Sequence, residues 1–107
     1  MDRRHEQAAR NESVFRLANE AIDVAAHRFG TDKGMFVCEC SHADCAEMIE
    51  LRLDEYEAIR AHGDRFAIVG GHEDREVERV VEQNARFSVV EKVGYGQEVA
   101  RRLDPRA

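Results

Sequence analysis

The first thirty positions carry apolar residues at helical spacing, and the rest of the chain alternates in short runs broken by glycine. Phe15, Ala18, Ile22, Ala25 and Phe29 recur at intervals of three and four, which is one stripe of an amphipathic helix. Val14, Leu17, Ala21 and Val24 form a second stripe beside it. No proline interrupts the stretch and no glycine precedes Gly30, so the pattern predicts a helix from residue 2 to about residue 29. Asp2, or later Asn11 or Ser13, would cap it, and Gly30 would close it. The two stripes cover roughly 200° at ~100° per residue, more than one sheet face needs. The expectation is a helix covered from two sides, by its own sheet and by another chain. Glu12–Arg16 and Asp23–His27 stand at i,i+4 and are expected to support the polar face.

Residues 31–34 read as a loop and 35–37 as a short strand. Ile49, Leu51 and Leu53 alternate with Glu50 and Arg52, a half-buried strand at period two. Asp54, with Glu57 three residues on, is expected to cap a helix over 55–62 that turns Leu53, Tyr56 and Ile59 to the sheet. A strand at 65–69 and a Gly70-Gly71-His72 turn follow. Residues 73–83 read as a short helix with Val77, Val80 and Val81 inward, 86–93 as a strand, 94–96 as a turn, and 97–103 as a last helical turn. The fold class is α+β: one domain over 1–107, with a long N-terminal helix (1–30) and a body (31–107) built on a small, mostly antiparallel sheet of about four strands.

Composition narrows the function. A net charge of −6, from 16 basic and 22 acidic residues, argues against a sequence-independent nucleic-acid binder, which needs a concentrated basic face. Arg60, Arg65, Arg75 and Arg79 are interleaved with acids and read as a solvated face. No apolar run approaches the ~20 residues of a membrane span, so no membrane partner is expected. The start, Met1 to Glu6, lacks a signal-peptide core, and the expected location is cytoplasmic, where thiols stay reduced.

That setting gives weight to the three cysteines, which fall within eight residues as Cys38-x-Cys40-x4-Cys45 at a strand–turn–strand corner. Clustered thiols in a reducing compartment favour metal chemistry, and zinc is the metal that sulfur-rich tetrahedral sites select. A fourth ligand is needed. His72 is the first choice, at a strand end behind two glycines; His42 in the loop, His62 after the second helix, water or an acidic side chain are the rivals. The plain alternative is inert core, since Cys38 continues the apolar run Phe36-Val37. Against it stand the flanking Glu39, Ser41, His42 and Asp44. Gly70-Gly71 is no phosphate loop, because no Lys-Ser/Thr follows it.

The C-x-C-x4-C spacing resembles the zinc-binding post-SET segment of protein lysine methyltransferases, over those eight residues only. Phe36-Val-Cys-Glu-Cys, Asp44-Cys45, Glu55-Tyr-Glu-Ala-Ile-Arg60, Gly71-His-Glu73 and Glu76-Val-Glu-Arg-Val-Val-Glu82 together resemble a group of small, mostly actinobacterial proteins of about this length. Asn11-Glu12, Asn19-Glu20 and the Asp104-Pro-Arg106 ending fit the same pattern. The resemblance implies a stand-alone domain with a Cys/His cluster and no assigned activity; Gly70 departs from it, standing where the pattern has proline.

The functional expectation is a small zinc-binding protein-interaction or regulatory module, not an enzyme, with structural metal held by Cys38, Cys40, Cys45 and His72. Its partner, another protein or a second copy, would meet the N-terminal helix. The alternative is a thiol–zinc redox sensor that releases metal on oxidation. A metalloenzyme with Glu39 or Glu73 as base ranks last.

Overall fold

The N-terminal helix forms where the spacing puts it, as α1 (Arg3–Arg28), but it is seated the other way round. The computed structural model describes residues 3–107, so the expected cap Asp2 lies outside them. Facing the body, α1 buries Ala8, Ala9, Glu12, Ser13, Arg16, Asn19, Asp23 and Ala26. Val14, Leu17, Val24 and Phe29 are 65%, 56%, 52% and 84% exposed. At ~100° per residue the exposed apolar row lies about 150° from the buried row, on the opposite side of the helix. Of the two predicted stripes only Ile22 packs against the core, and Phe15 is half-buried. Glu12, Arg16 and Asp23, expected on a solvated face, are enclosed.

The reason lies in what the body offers. β1 (Lys33–Val37) and β2 (Met48–Arg52) form an antiparallel hairpin, with Phe36 opposite Ile49 and Val37 opposite Met48. β1 has an open edge toward α1, and Asn19 closes it. Its side-chain amide donates to the Val37 carbonyl at 2.9 Å and accepts the Val37 N–H at 2.8 Å, as a neighbouring strand would. Lys92 is fully buried and meets Glu12 at 2.7 Å and Glu78 at 3.1 Å. Arg16 donates to the Gly63 and Ala100 carbonyls at 2.7 and 2.9 Å and lies 4.6 Å over the Phe66 ring. Buried charges are tolerated only when paired and hydrogen-bonded, so the polar row of α1 is the complement the body requires.

Helix α2 (Leu53–Arg60) begins two residues earlier than expected, and the reach-back comes from Glu55, which accepts the Arg52 N–H at 2.8 Å. Tyr56 turns inward as predicted and stacks on Phe36 at 4.6 Å between centroids. Arg60, read as part of a solvated face, is buried and pairs with Glu20 at 2.7 Å and with Asp104.

The second sheet is antiparallel with strand order β3-β5-β4, from β3 (Arg65–Ile68), β4 (Glu78–Gln83) and β5 (Ser88–Lys92). β4 corrects the expected helix at 73–83. Val77, Val80 and Val81 imitate helical spacing, but a β-bulge between Val80 and Glu82 produces the same pattern. It lets consecutive valines serve both cores: Val81 packs against the cluster of Phe36, Leu51, Tyr56 and Phe87, and Val80 against that of Phe66, Ile68 and Val90. Among the described residues the strands therefore number five, in two sheets, where about four were expected. Helix α3 (Tyr95–Arg102) lies against α1, so close that a side chain on Gly96 would meet the His5 carbonyl oxygen at 3.2 Å.

Candidate metal centre

The site is the connection between β1 and β2. The hairpin ladder runs one step beyond β1, with the Cys38 N–H donating to the Glu47 carbonyl at 2.9 Å. The chain then crosses to the second sheet. Glu39 donates its N–H to the Ala67 carbonyl of β3 at 2.8 Å, and its carboxylate accepts the Ala67 N–H at 2.9 Å. A side-chain oxygen takes the place of a backbone carbonyl in this short bridge. Asn19 donates to the other Glu39 oxygen at 2.8 Å. Burial pushes the Glu39 carboxyl up to about 7 even against those two donors and the nearby arginines. Glu39, the first acid considered as a base, thus fastens the segment between its two cysteines to β3 and α1. Asn11 adds a second tie from α1, donating to the Ser41 carbonyl at 2.8 Å.

These ties leave Cys38 and Cys40 buried and Cys45 half-buried. The turn after β3 brings the fourth group. His72 donates its N–H to the Val69 carbonyl at 3.0 Å, and Gly71 takes φ 93° there, a backbone region that favours glycine. The imidazole Nδ1 then stands 3.6 Å from Cys38 Sγ and 3.8 Å from Cys45 Sγ. One donor atom from each of Cys38, Cys40, Cys45 and His72 lies within 4.8 Å of all the others. A tetrahedral zinc with the usual bond lengths would set sulfur–nitrogen edges of about 3.6 Å and sulfur–sulfur edges of about 3.8 Å. The donor set fits a metal in chemistry and in size. His42 and His62 are exposed and stand outside the cluster, which decides among the three histidines.

The surroundings suit a bound cation. Glu47 takes the far nitrogen of His72, with Nε2 2.9 Å from its carboxylate. That contact turns Nδ1 toward the sulfurs and fixes the ring, the arrangement usual behind metal-bound histidine. The Val69 N–H points at Cys38 Sγ at 3.2 Å. Burial first, and the neighbouring thiols second, push the Cys38 thiol well above its ordinary range, and burial raises Cys40 as well. Three thiolates cannot share this volume without a positive charge, and a divalent cation supplies one. Glu73, the other acid considered as a base, accepts the Gly71 N–H at 3.1 Å and helps hold the turn.

Sequence reasoning found the four donors and missed the residues that place them. Asn19 entered only as part of the family resemblance and Glu47 not at all, because their partners are 18 and 25 positions away in the chain and become neighbours only through the fold. Among the described residues no helix is long and apolar enough to cross a membrane. Compared with family models, with curated proteins and with solved structures, the chain matches none.

Proposed function

We propose that the protein is a small zinc-binding interaction module in which the metal is structural and the working surface is the outer face of α1. The convergence of Cys38, Cys40, Cys45 and His72 within 4.8 Å carries the metal half of this reading. Four protein donors complete a tetrahedron and leave no position for substrate, which is the structural form of a zinc site. Its place in the fold agrees. The knuckle joins the first hairpin to β3 through Glu39 and to α1 through Asn11 and Asn19, and a metal held by its cysteines and by His72 adds a direct link from the hairpin connection to the turn after β3. Burial of Cys38 and Cys40 shields two of the three sulfurs from an oxidant and favours this role over redox sensing.

The interaction half rests on α1, which turns Val14, Leu17, Val24 and Phe29 to solvent while its polar row is used inside. Contiguous apolar surface of this kind marks protein-interaction sites. The test of the metal is elemental analysis of the purified chain beside His72→Ala. One zinc per chain, bound more weakly in the variant, is the expected result. Protein purified in chelator-free buffer without metal would overturn the reading.

A further inference from the structure

Three carboxylates meet at the seam between α1 and α2, and they hold one guanidinium. Glu20 and Asp23 come from α1 and Glu57 from α2, and Arg106 lies among them. Arg106 Nε and Nη2 donate to the two oxygens of Glu20 at 2.8 and 2.9 Å. Nη1 and Nη2 donate to the two oxygens of Glu57 at 2.9 and 2.8 Å. Asp23 stands 3.4 Å from Nη2, and the guanidinium carbon is 5.9 Å over the ring of the fully buried Tyr56. Two bidentate carboxylates in the plane of the group and an aromatic ring across its face are specific to arginine. A lysine ammonium is a point charge and cannot form either fork.

The clamp belongs to the body, whereas its occupant does not. Glu20 and Asp23 are enclosed, with side chains 18% and 6% exposed, and Glu20 is also held by Arg60 at 2.7 Å. One Asp23 oxygen is enclosed without a hydrogen-bond partner. The segment that carries Arg106 follows α3, and its backbone donors do not reach the helices of the clamp. Asp104 N–H donates to the Arg101 carbonyl at 3.3 Å, Arg106 N–H to the Asp104 side chain at 2.9 Å and Ala107 N–H to the Asp104 carbonyl at 3.1 Å, while Pro105 has none to give. The contacts that tie 104–107 to α1 and α2 are ionic ones, from Asp104 to Arg60 and from Arg106 to the three acids. A segment tied in this way opens more readily than a hydrogen-bonded strand or helix.

We infer that the clamp of Glu20, Asp23, Glu57 and Tyr56 is an arginine-binding site that Arg106 fills from within the chain, and that an arginine side chain of another polypeptide takes the same place when 104–107 lifts away. The acids remain in position without Arg106 because each is fixed by its own helix. The tethered arginine acts at an effective concentration of about millimolar or more, so it holds the site against weak competitors. The inference needs neither the zinc nor the outer face of α1.

The experiment uses the full, metal-loaded chain and, as probe, N-acetyl-arginine amide beside N-acetyl-lysine amide at equal ionic strength. Binding is followed by two-dimensional amide NMR in the parent, in Arg106→Ala and in Arg106→Lys, the last keeping a positive charge should the alanine variant fold poorly. In both variants the arginine probe is expected to shift resonances at Glu20, Asp23 and Glu57. It should bind them at least tenfold more tightly than it binds the parent, and at least tenfold more tightly than the lysine probe does. Adding Glu57→Gln to either variant removes one fork and should weaken the arginine probe at least tenfold. Variants that lose stability and yet bind no arginine would make Arg106 a structural tie only and overturn the inference. Equal binding of the two probes, equal binding to the parent, or shifts confined to other residues would overturn it as well.

Discussion

Truncating a buried asparagine and an exposed leucine on α1, one at a time, tests the seating of the helix directly. Asn19 is fully buried and serves three groups, the Val37 N–H and carbonyl and one Glu39 oxygen, at 2.8–2.9 Å. Asn19→Ala leaves all three enclosed without that partner. Each such group costs about 1–3 kcal/mol, and partial relaxation brings the total to roughly 3–5 kcal/mol. Against the ~5–15 kcal/mol of a domain this size, that is a large share. Leu17→Ala removes a side chain that is 56% exposed and is expected to change stability by under ~0.5 kcal/mol. The ordinary amphipathic reading of the sequence gives the reverse order, with ~2–5 kcal/mol lost at a core leucine. The assay is urea unfolding followed by far-ultraviolet circular dichroism. Asn19→Ala should lower the midpoint by about 2–3 M at the slope usual for small proteins. Asn19→Asp should be no better at neutral pH, because it sets an anion against Glu39. A Leu17→Ala chain less stable than Asn19→Ala would mean that α1 buries its apolar row, and the seating described above would be wrong.

Three further outcomes follow from the same contacts. Glu47→Ala frees the far nitrogen of His72; since Glu47 is 59% exposed, zinc affinity should fall by about tenfold, the low end for such residues, measured by competition with a chromophoric chelator. Unchanged affinity would show that the turn alone orients the ring. Lys92→Met leaves Glu12 and Glu78 facing each other without their cation and should cost about 3–5 kcal/mol, whereas adding Glu12→Gln and Glu78→Gln should recover most of it. Calorimetry in which the triple variant is no better than the single would refute this. Burial first, and Glu57 second, push the Asp23 carboxyl up from 3.8 to about 6, while Arg106 holds Glu57 down at about 2. A raised acid favours its protonated form on folding, so the Asp23 contribution is full below 3.8 and is lost as pH rises through about 6. Asp23→Asn should abolish that loss and gain ~1–2 kcal/mol at neutral pH relative to the parent. A tenfold change in proton affinity is worth about 1.4 kcal/mol, and Asp23 shares its proton with Glu57, which keeps the gain at the lower end. The Glu57 contribution, lost as pH falls toward about 2, should persist in both proteins. Parallel stability curves for the two chains across mildly acid pH would contradict the assignment.

Local chemistry made much of this protein legible from its residues. An uninterrupted run to Gly30 compelled a helix, alternation at Ile49, Leu51 and Leu53 compelled a strand up to the start of α2, and three thiols in eight residues pointed to a metal. His72 could be chosen because a glycine-rich turn at a strand end is a place where the backbone can present a ligand. Each of these depends on residues close in sequence, whose geometry the chain itself imposes. The orientation of α1 does not. Hydrophobic periodicity tells which residues share a face and is silent on which face turns inward when the body presents buried charge and an open strand edge. Lys92, Glu78 and Glu39 come from distant segments, and only their assembly creates a surface that an apolar stripe could not satisfy. The same holds for β4, where a bulge copied helical spacing, and for Glu47, which has a role only because folding brings His72 to it. The sequence alone determined most of the elements and the metal donors, through steric and chemical rules that act over a few residues. The tertiary structure decided which side of the first helix is core and which is surface, because burying a charge depends on partners that only the complete fold brings together.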